Sequence, residues 1–430
     1  LKAYIVVDLG FGDAGKGLMT DYLVRRHAAR HVIRFNGGAQ AGHNVVEAGG
    51  RHHTFSQLGS GSFHGARTHL ARPVIVHPTA LALEAQRLAE LGERDVLERV
   101  SIDPECRVTT PLQQAAGRLR ELQRGAARHG SCGVGVGETA TDSIDCPELT
   151  VRFEDLLRPA SLLPLLHAQR LQKLRVFGQL LESRQPPQVA RELELLASEA
   201  VAARWLDAAS SIARRVTLTR DEELRPQGTV VFEGAQGILL DENYGFHPFT
   251  TYSRTTPDAA LDILRAMGFA GDVQVIGALR SYSVRHGPGP FPTEDASVVS
   301  ATLEQHNSAG PWQGAVRKGW LDLVLVDYAL RAAKRIDALA VTHLDALPQL
   351  RTWRWCEAYD SCERLELPRT LAEQEQLCLR LTCARPRYHS LNGVDSAAVA
   401  HALFERLARR CRASLAYGVT GPFAHSVHEL

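Results

Sequence analysis

Residues 10–17 read GFGDAGKG, and Gly10, Gly15 and Lys16 satisfy the G-x-x-x-x-G-K spacing of a phosphate-cradling loop. In such a loop, backbone N–H groups at a helix N-terminus bind anionic oxygens and the lysine adds a point charge. Two positions depart from the usual pattern. Gly17 stands where a serine or threonine would offer a hydroxyl to magnesium, so a metal must be held some other way. Asp13 places a carboxylate inside the cradle, where it repels phosphate unless it coordinates a cation or removes a proton from the group being phosphorylated.

Three further stretches carry side chains suited to a polar ligand. In RFNGGAQAGHN (34–44) the glycines let backbone approach a ligand, and His43 supplies an imidazole that taken alone is more often structural. In FEGAQGILLDENYGFHPFTTYSRTT (232–256), Gln236 offers a donor and an acceptor between glycines, as a base edge or an amide requires. YSVRHGPGPFPTE (282–294) is too rich in Gly and Pro to be anything but a shaped loop.

These residues need a scaffold. The run AYIVVDLG before the loop and the helical periodicity of KGLMTDYLVRRHA behind it give strand, phosphate loop, helix. Apolar runs recur at HVIRF, RPVIVHP, TVVFEGAQG, VQVIGALRSYSV, IDALAVTHLDAL and RASLAYGVTGP, which predicts an α/β fold around a large, mostly parallel sheet with flanking helices. A Leu-, Ala-, Glu- and Arg-rich stretch over 159–215 predicts a helical excursion, and with no repeat or linker the chain reads as a single domain over 1–430. With 430 residues, 44% of them hydrophobic, and 49 Lys+Arg against 48 Asp+Glu, no charge field argues for nucleic acid or a membrane surface. The opening LKAYIVVDLG is interrupted too early by Asp8 for a signal peptide, so a cytoplasmic enzyme of small molecules is expected. The eight cysteines are too sparse for a disulfide scaffold, and Cys356, Cys362, Cys378 and Cys383 have longer hooks than structural zinc prefers.

In order and separation, GDAGKGL, GGAQAGH, FEGAQGILLD, SYSVRHGPGPFPTE, GWLD, THLD and VTGP resemble the markers of the adenylosuccinate synthetase family across nearly the whole chain. The resemblance implies a P-loop-like GTP-binding fold, a homodimer, and a two-step ligase reaction. GTP phosphorylates the 6-oxygen of IMP, and the amine of aspartate displaces that phosphate. By the same resemblance Asp13 is the base that takes the purine N1 proton and, with the Gly42 carbonyl, a ligand of Mg2+. His43 assists phosphoryl transfer, and Gly12, Gly15, Lys16 and Gly17 hold the GTP phosphates. Asp345 reads the guanine edge, Thr420, Gly421 and Pro422 wall its pocket, and His343 replaces a lysine stacked near the base.

The substrate side departs further. Ser131 and Cys132 stand for a threonine pair, Gln40 for an asparagine, and Cys146 for an arginine that reaches across the dimer, while Gln236 and Thr251 match nucleotide-touching groups. In the amine loop, AGPWQGAVRKGW (309–320), Gly314 and Val316 replace two carboxylate-clamping arginines and Arg317 is retained. The lost bidentate partners imply a changed amine, with Trp312 either contacting it or packing the loop. A drifted but ordinary enzyme would need arginines from elsewhere, Arg152 or Arg285. A catalytically silent GTP-binding regulatory protein would be expected to lose Asp13, Lys16 or His43, and all three are present.

Overall fold

The computed structural model describes residues 1–302, 312–350, 352–392, 396–410 and 413–430. Its centre is a ten-stranded sheet built from β1 (Lys2–Asp8), β2 (His31–Arg34), β3 (Arg67–Leu70), β4 (Val100–Ile102), β5 (Thr217–Leu218), β6 (Thr229–Glu233), β7 (Asp272–Arg280), β8 (Ala338–Thr342), β9 (Ser414–Val419) and β10 (Val427–Glu429). The strand order is β10-β9-β8-β7-β1-β6-β2-β3-β4-β5. All neighbours run parallel except the edge pair β9–β10. Strands covered on both faces read as near-continuous apolar runs, and AYIVVD in β1 is buried from Ala3 to Asp8. Because the strands are parallel, every loop at their C-terminal ends opens on one edge of the sheet, which is where ligands bind in open α/β folds.

The run RPVIVHP is not a strand of this sheet. It contributes only Ile75–Val76, paired with Arg107–Val108 in a separate two-stranded sheet, because Pro73 and Pro78 bracket the run and cut it short. The sheet strand is the preceding RTHL of β3, whose buried Thr68 and His69 hide it from an apolar-run reading. Over 159–215 the chain forms helices Pro159–Phe177, Pro187–Ala197 and Glu199–Ala213. Cys356 and Cys378 lie in the apolar core.

His77 caps helix Pro78–Glu90, its Nδ1 accepting from the Ala80 N–H at 3.3 Å. Acceptance requires a neutral ring, and burial, opposed by a backbone hydrogen bond and aided by Arg118, pushes its pKa down to about 4. The folded pKa lies below the unfolded value, so between them only the unfolded chain takes the proton. This contribution is present above about pH 6.5 and is lost as pH falls toward 4, up to about 3 kcal/mol. Thermal melts from pH 7 to 4.5 are expected to show a falling midpoint that flattens in His77→Asn, which keeps a capping acceptor without a proton to bind.

Candidate active site

The phosphate loop follows β1, and helix α1 (Lys16–His27) starts from an N-cap, Gly15, held at φ 83°. Gly12 is likewise left-handed at φ 104°. The loop is tied from beneath by a residue that motif reading passed over. Asp8 accepts the N–H groups of Gly10 at 2.8 Å, Gly12 at 3.3 Å and Ala14 at 2.9 Å, and pairs with the Lys16 ammonium at 2.9 Å. Both partners of this pair are buried. The only sequence signal for Asp8 was a carboxylate at the end of an apolar strand, one of the few places where charge is tolerated so deep.

The missing hydroxyl at position 17 has a steric cause. A Cβ on Gly17 would sit 2.7 Å from the Cβ of His43 and 3.1 Å from the Ser60 Oγ, so α1 can approach His43 only with glycine there. Gly17→Ser is expected to destabilise the fold by about 1–3 kcal/mol through overpacking and to displace His43. A lowered melting midpoint together with reduced GTP-dependent turnover checks this, and a stable, fully active variant refutes it.

His43 is buried, with Nδ1 2.6 Å from Glu233 Oε1, and Glu233 also accepts from the Ser60 N–H at 3.0 Å and from its hydroxyl. Burial lowers the imidazole pKa although Glu233 works to raise it. The direction favours the neutral ring, whose Nδ1 proton then points to the Glu233 carboxylate. Glu233 begins the FEG stretch, yet a pairing across 190 residues leaves no local mark in the sequence.

Asp13 does not cap α1. It adopts φ 60°, its carbonyl accepts from Arg280 Nη1 at 2.7 Å, and its Oδ2 meets His286 Nε2 at 2.6 Å. Burial pushes the carboxyl up, but the His286 hydrogen bond and charge, with Arg280 and Lys16, outweigh it and hold the pKa at about 2. Asp13 is thus an anion at any working pH. About a quarter of its side chain is exposed, so it can be reached. Among the described residues no cluster of three or more His, Cys, Asp or Glu could hold a metal. The Asp13 carboxylate is a hard oxygen donor of the kind Mg2+ takes, its other positions being open to water and phosphate oxygens. Gly42 itself is exposed.

Gln236 has φ 57°, and the chain at Gln236–Gly237 is pressed onto the phosphate loop: a Cβ on Gly237 would lie 2.1 Å from the Gly10 carbonyl. Gln236 Oε1 and Gln40 Oε1 are both buried without a partner. They flank the same turn, lying 3.0 Å and 3.1 Å from where Cβ atoms on Gly37 and Gly38 would stand. Two orphaned carboxamides converging beside a phosphate loop are what a polar ligand edge would satisfy. Thr251 is held by its N–H to the Leu240 carbonyl at 2.8 Å, on a loop anchored by Asp241 through Asn243, Tyr244 and Thr255.

His343, Asp345 and Thr420–Pro422 emerge from the adjacent ends of β8 and β9. Thr342 packs on the phosphate loop, donating to the Ala14 carbonyl at 3.2 Å. The His343 pKa falls well below its ordinary value through burial and Arg280, so this ring carries no lysine-like charge. Asp345 and Thr420 are exposed, Thr420 Oγ1 lying 3.1 Å from His428 Nε2, and a Cβ on Gly421 would lie 2.9 Å from the Ser426 Oγ.

On the amine side, Ala309–Pro311 lie outside the described residues. Trp312 packs the loop: a Cβ on Gly133 would fall 2.7 Å from its ring, and the Arg118 guanidinium sits 5.4 Å over that ring. Ser131, exposed, accepts from the Gly133 N–H at 3.2 Å, and burial pushes the Cys132 thiol up to about 12. Cys146 ends helix Val136–Asp145, its Sγ accepting from Gln172 Nε2 at 2.9 Å.

Arg285 and Arg317 are both engaged within the protein. Arg317 pairs with Glu294 and donates to the carbonyls of Gly287 at 3.2 Å and Gly289 at 2.8 Å. Arg285, 1% exposed, donates to the carbonyls of Pro288 at 3.0 Å and Pro290 at 2.9 Å, and burial, then Arg317, lower its pKa to about 9. Arg285 is thus a staple of the Gly-Pro turn. Arg152 lies 3.8 Å from Glu105.

Comparisons with known proteins point to one family. A family model described as adenylosuccinate synthetase matches residues 5–417. An adenylosuccinate synthetase of Neisseria gonorrhoeae is 31% identical over 431 residues, covering 98% of this chain and 96% of the relative. One of Clostridium botulinum is 30% identical over 367 residues, covering 84% and 81%. Among solved structures, a fully ligated adenylosuccinate synthetase from Plasmodium falciparum superposes with a TM-score of 0.79 at 18% identity over 99% of each chain. A cyanophage S-2L succinoaminodeoxyadenylate synthetase bound to dGMP and dATP as an energy donor superposes at 0.55 and 17% identity over 100% of this chain and 95% of that one.

Proposed function

Because the chain belongs to the adenylosuccinate synthetase family and is a GTP-using C–N ligase, we propose that it phosphorylates the 6-oxygen of IMP, or the carbonyl oxygen of a related purine lactam, and joins the carbon bearing it to an amine other than aspartate. Asp13 takes the ring N–H proton, the freed oxygen attacks the γ-phosphorus of GTP, and GDP departs. The amine then attacks the carbon, loses a proton, and expels phosphate. Gln40 and Gln236 hold the ring edge, Lys16 and the backbone donors of the loop hold phosphate, and His43 supplies a proton-bearing ring as charge develops. A Mg2+ ion held by Asp13 and the Gly42 carbonyl would neutralise phosphate charge. Asp13, Lys16 and His43 standing together on one edge speak against a silent binding protein.

The observation that carries the changed amine is the internal use of Arg285 and Arg317. A dicarboxylate amine needs charged forks, and these two are committed to Glu294 and backbone carbonyls. Gly314 adopts φ 86° and is exposed, a conformation an arginine would adopt only with strain. We also propose a homodimer, in which Cys146 replaces the crossing arginine by a neutral thiol.

Phosphate release from GTP with IMP, dIMP, GMP and dGMP, each with aspartate or a panel of other amines, tests this with products identified by mass. A new amine adduct with at most one carboxylate is the expected product. Adenylosuccinate formed readily from IMP and aspartate would overturn the altered-amine reading and favour the ordinary reaction.

A further inference from the structure

We propose that His286 is a positioning residue for Asp13, holding one carboxylate oxygen toward the amine-side hairpin, and that a divalent cation that binds Asp13 through that oxygen competes with it. This rests on Asp13 being the base, as above.

The Asp13 backbone is fixed by its left-handed turn and by Arg280 on its carbonyl, so the remaining freedom is rotation of the carboxylate. His286 removes that freedom at Oδ2, while Oδ1 makes no hydrogen bond to the described residues. One oxygen is thus assigned to His286 and the other is left for the acceptor. The two side chains are 27% and 23% exposed, so the contact is open to a competitor.

His286 also links two parts of the site. It ends strand Ser283–His286, which pairs antiparallel with Val316–Gly319, placing His286 opposite Val316. The next residue, Gly287, donates its N–H to Ala315 at 3.1 Å and accepts from Arg317. The phosphate loop and the amine-side hairpin are therefore joined through this imidazole. In sequence, His286 fills the unspecified position of Y-S-V-R-H-G-P-G-P, and its residue type alone did not single it out.

Binding of Mn2+ to the full chain, followed by the electron paramagnetic resonance of the free aquo ion with and without GDP, tests the proposal without turnover. His286→Val is expected to bind Mn2+ about three- to tenfold tighter, the equivalent of one ordinary hydrogen bond. His286→Gln keeps an N–H long enough to reach Oδ2 and is expected to stay near the unmodified protein. A purely structural role would not separate Val from Gln in this way. Equal affinity in the Val variant, or a Gln variant that behaves like Val, overturns the proposal. Should His286→Val fail to fold, His286→Asn, too short to reach Oδ2, must show the tighter binding instead. Combining either variant with Asp13→Asn must abolish the gain, and these readings stand even if no purine turns over.

Discussion

Asp13→Asn is expected to lower kcat by about 10²–10⁴ while leaving the melting midpoint nearly unchanged. The reasoning is specific to this site. Position 13 is left-handed, and asparagine tolerates that conformation better than most residues, so the loop keeps its path. Arg280 binds the backbone carbonyl, which the substitution leaves intact. An asparagine oxygen can still accept from His286. What is lost, on the proposed mechanism, is the anion that receives the ring proton. Steady-state phosphate release beside a thermal melt checks both halves, and an active variant would mean that another group takes the proton.

Lys16→Met is expected to reduce kcat/KM for GTP by about 10³ or more, because the proposed mechanism gives the ammonium the role of point charge in the phosphate cradle. Unlike the first variant, it should also lose stability. Lys16 is buried against Asp8, and removing one member of a buried pair typically costs about 3–5 kcal/mol. The lower end applies here, since Asp8 keeps backbone N–H groups of Gly10, Gly12 and Ala14. Denaturant melts and GTP-dependent kinetics on the same preparation separate the two effects. A variant with normal stability would show that the Asp8 carboxylate is satisfied by the loop backbone alone.

The sequence made the scaffold legible, and Asp13, Lys16 and His43 legible as candidates, because each has a local mark: a glycine-rich stretch around the candidates, and apolar runs where strands are covered on both faces. Its misreading of RPVIVHP has the same root, since an apolar run bracketed by prolines looks like a strand while RTHL in β3 does not. Asp8, Glu233, Arg280 and His286 were not singled out because their roles lie in partners. Glu233 matters through His43, 190 residues away, and His286 through Asp13, 273 residues away. The fates of Arg285 and Arg317 were hidden for a related reason. An arginine in a substrate loop reads as a ligand clamp until the carbonyls it binds are known.

The Trp312 ring resting against Gly133 bears on how such a chain could change over generations or under a protein engineer's hand. The loop carrying Ser131 and Cys132 and the loop carrying Trp312 touch here, and a Cβ on Gly130 would likewise strike Pro288 of the Gly-Pro turn at 2.6 Å. A change that widens the space for a new amine by trimming Trp312 takes away the support of the loop carrying Ser131 and Cys132. If the two loops serve the two substrates as proposed, selection for one new substrate drags the preference for the other along with it. Libraries that vary 130–133 and 312–317 together should yield active variants that neither segment yields alone.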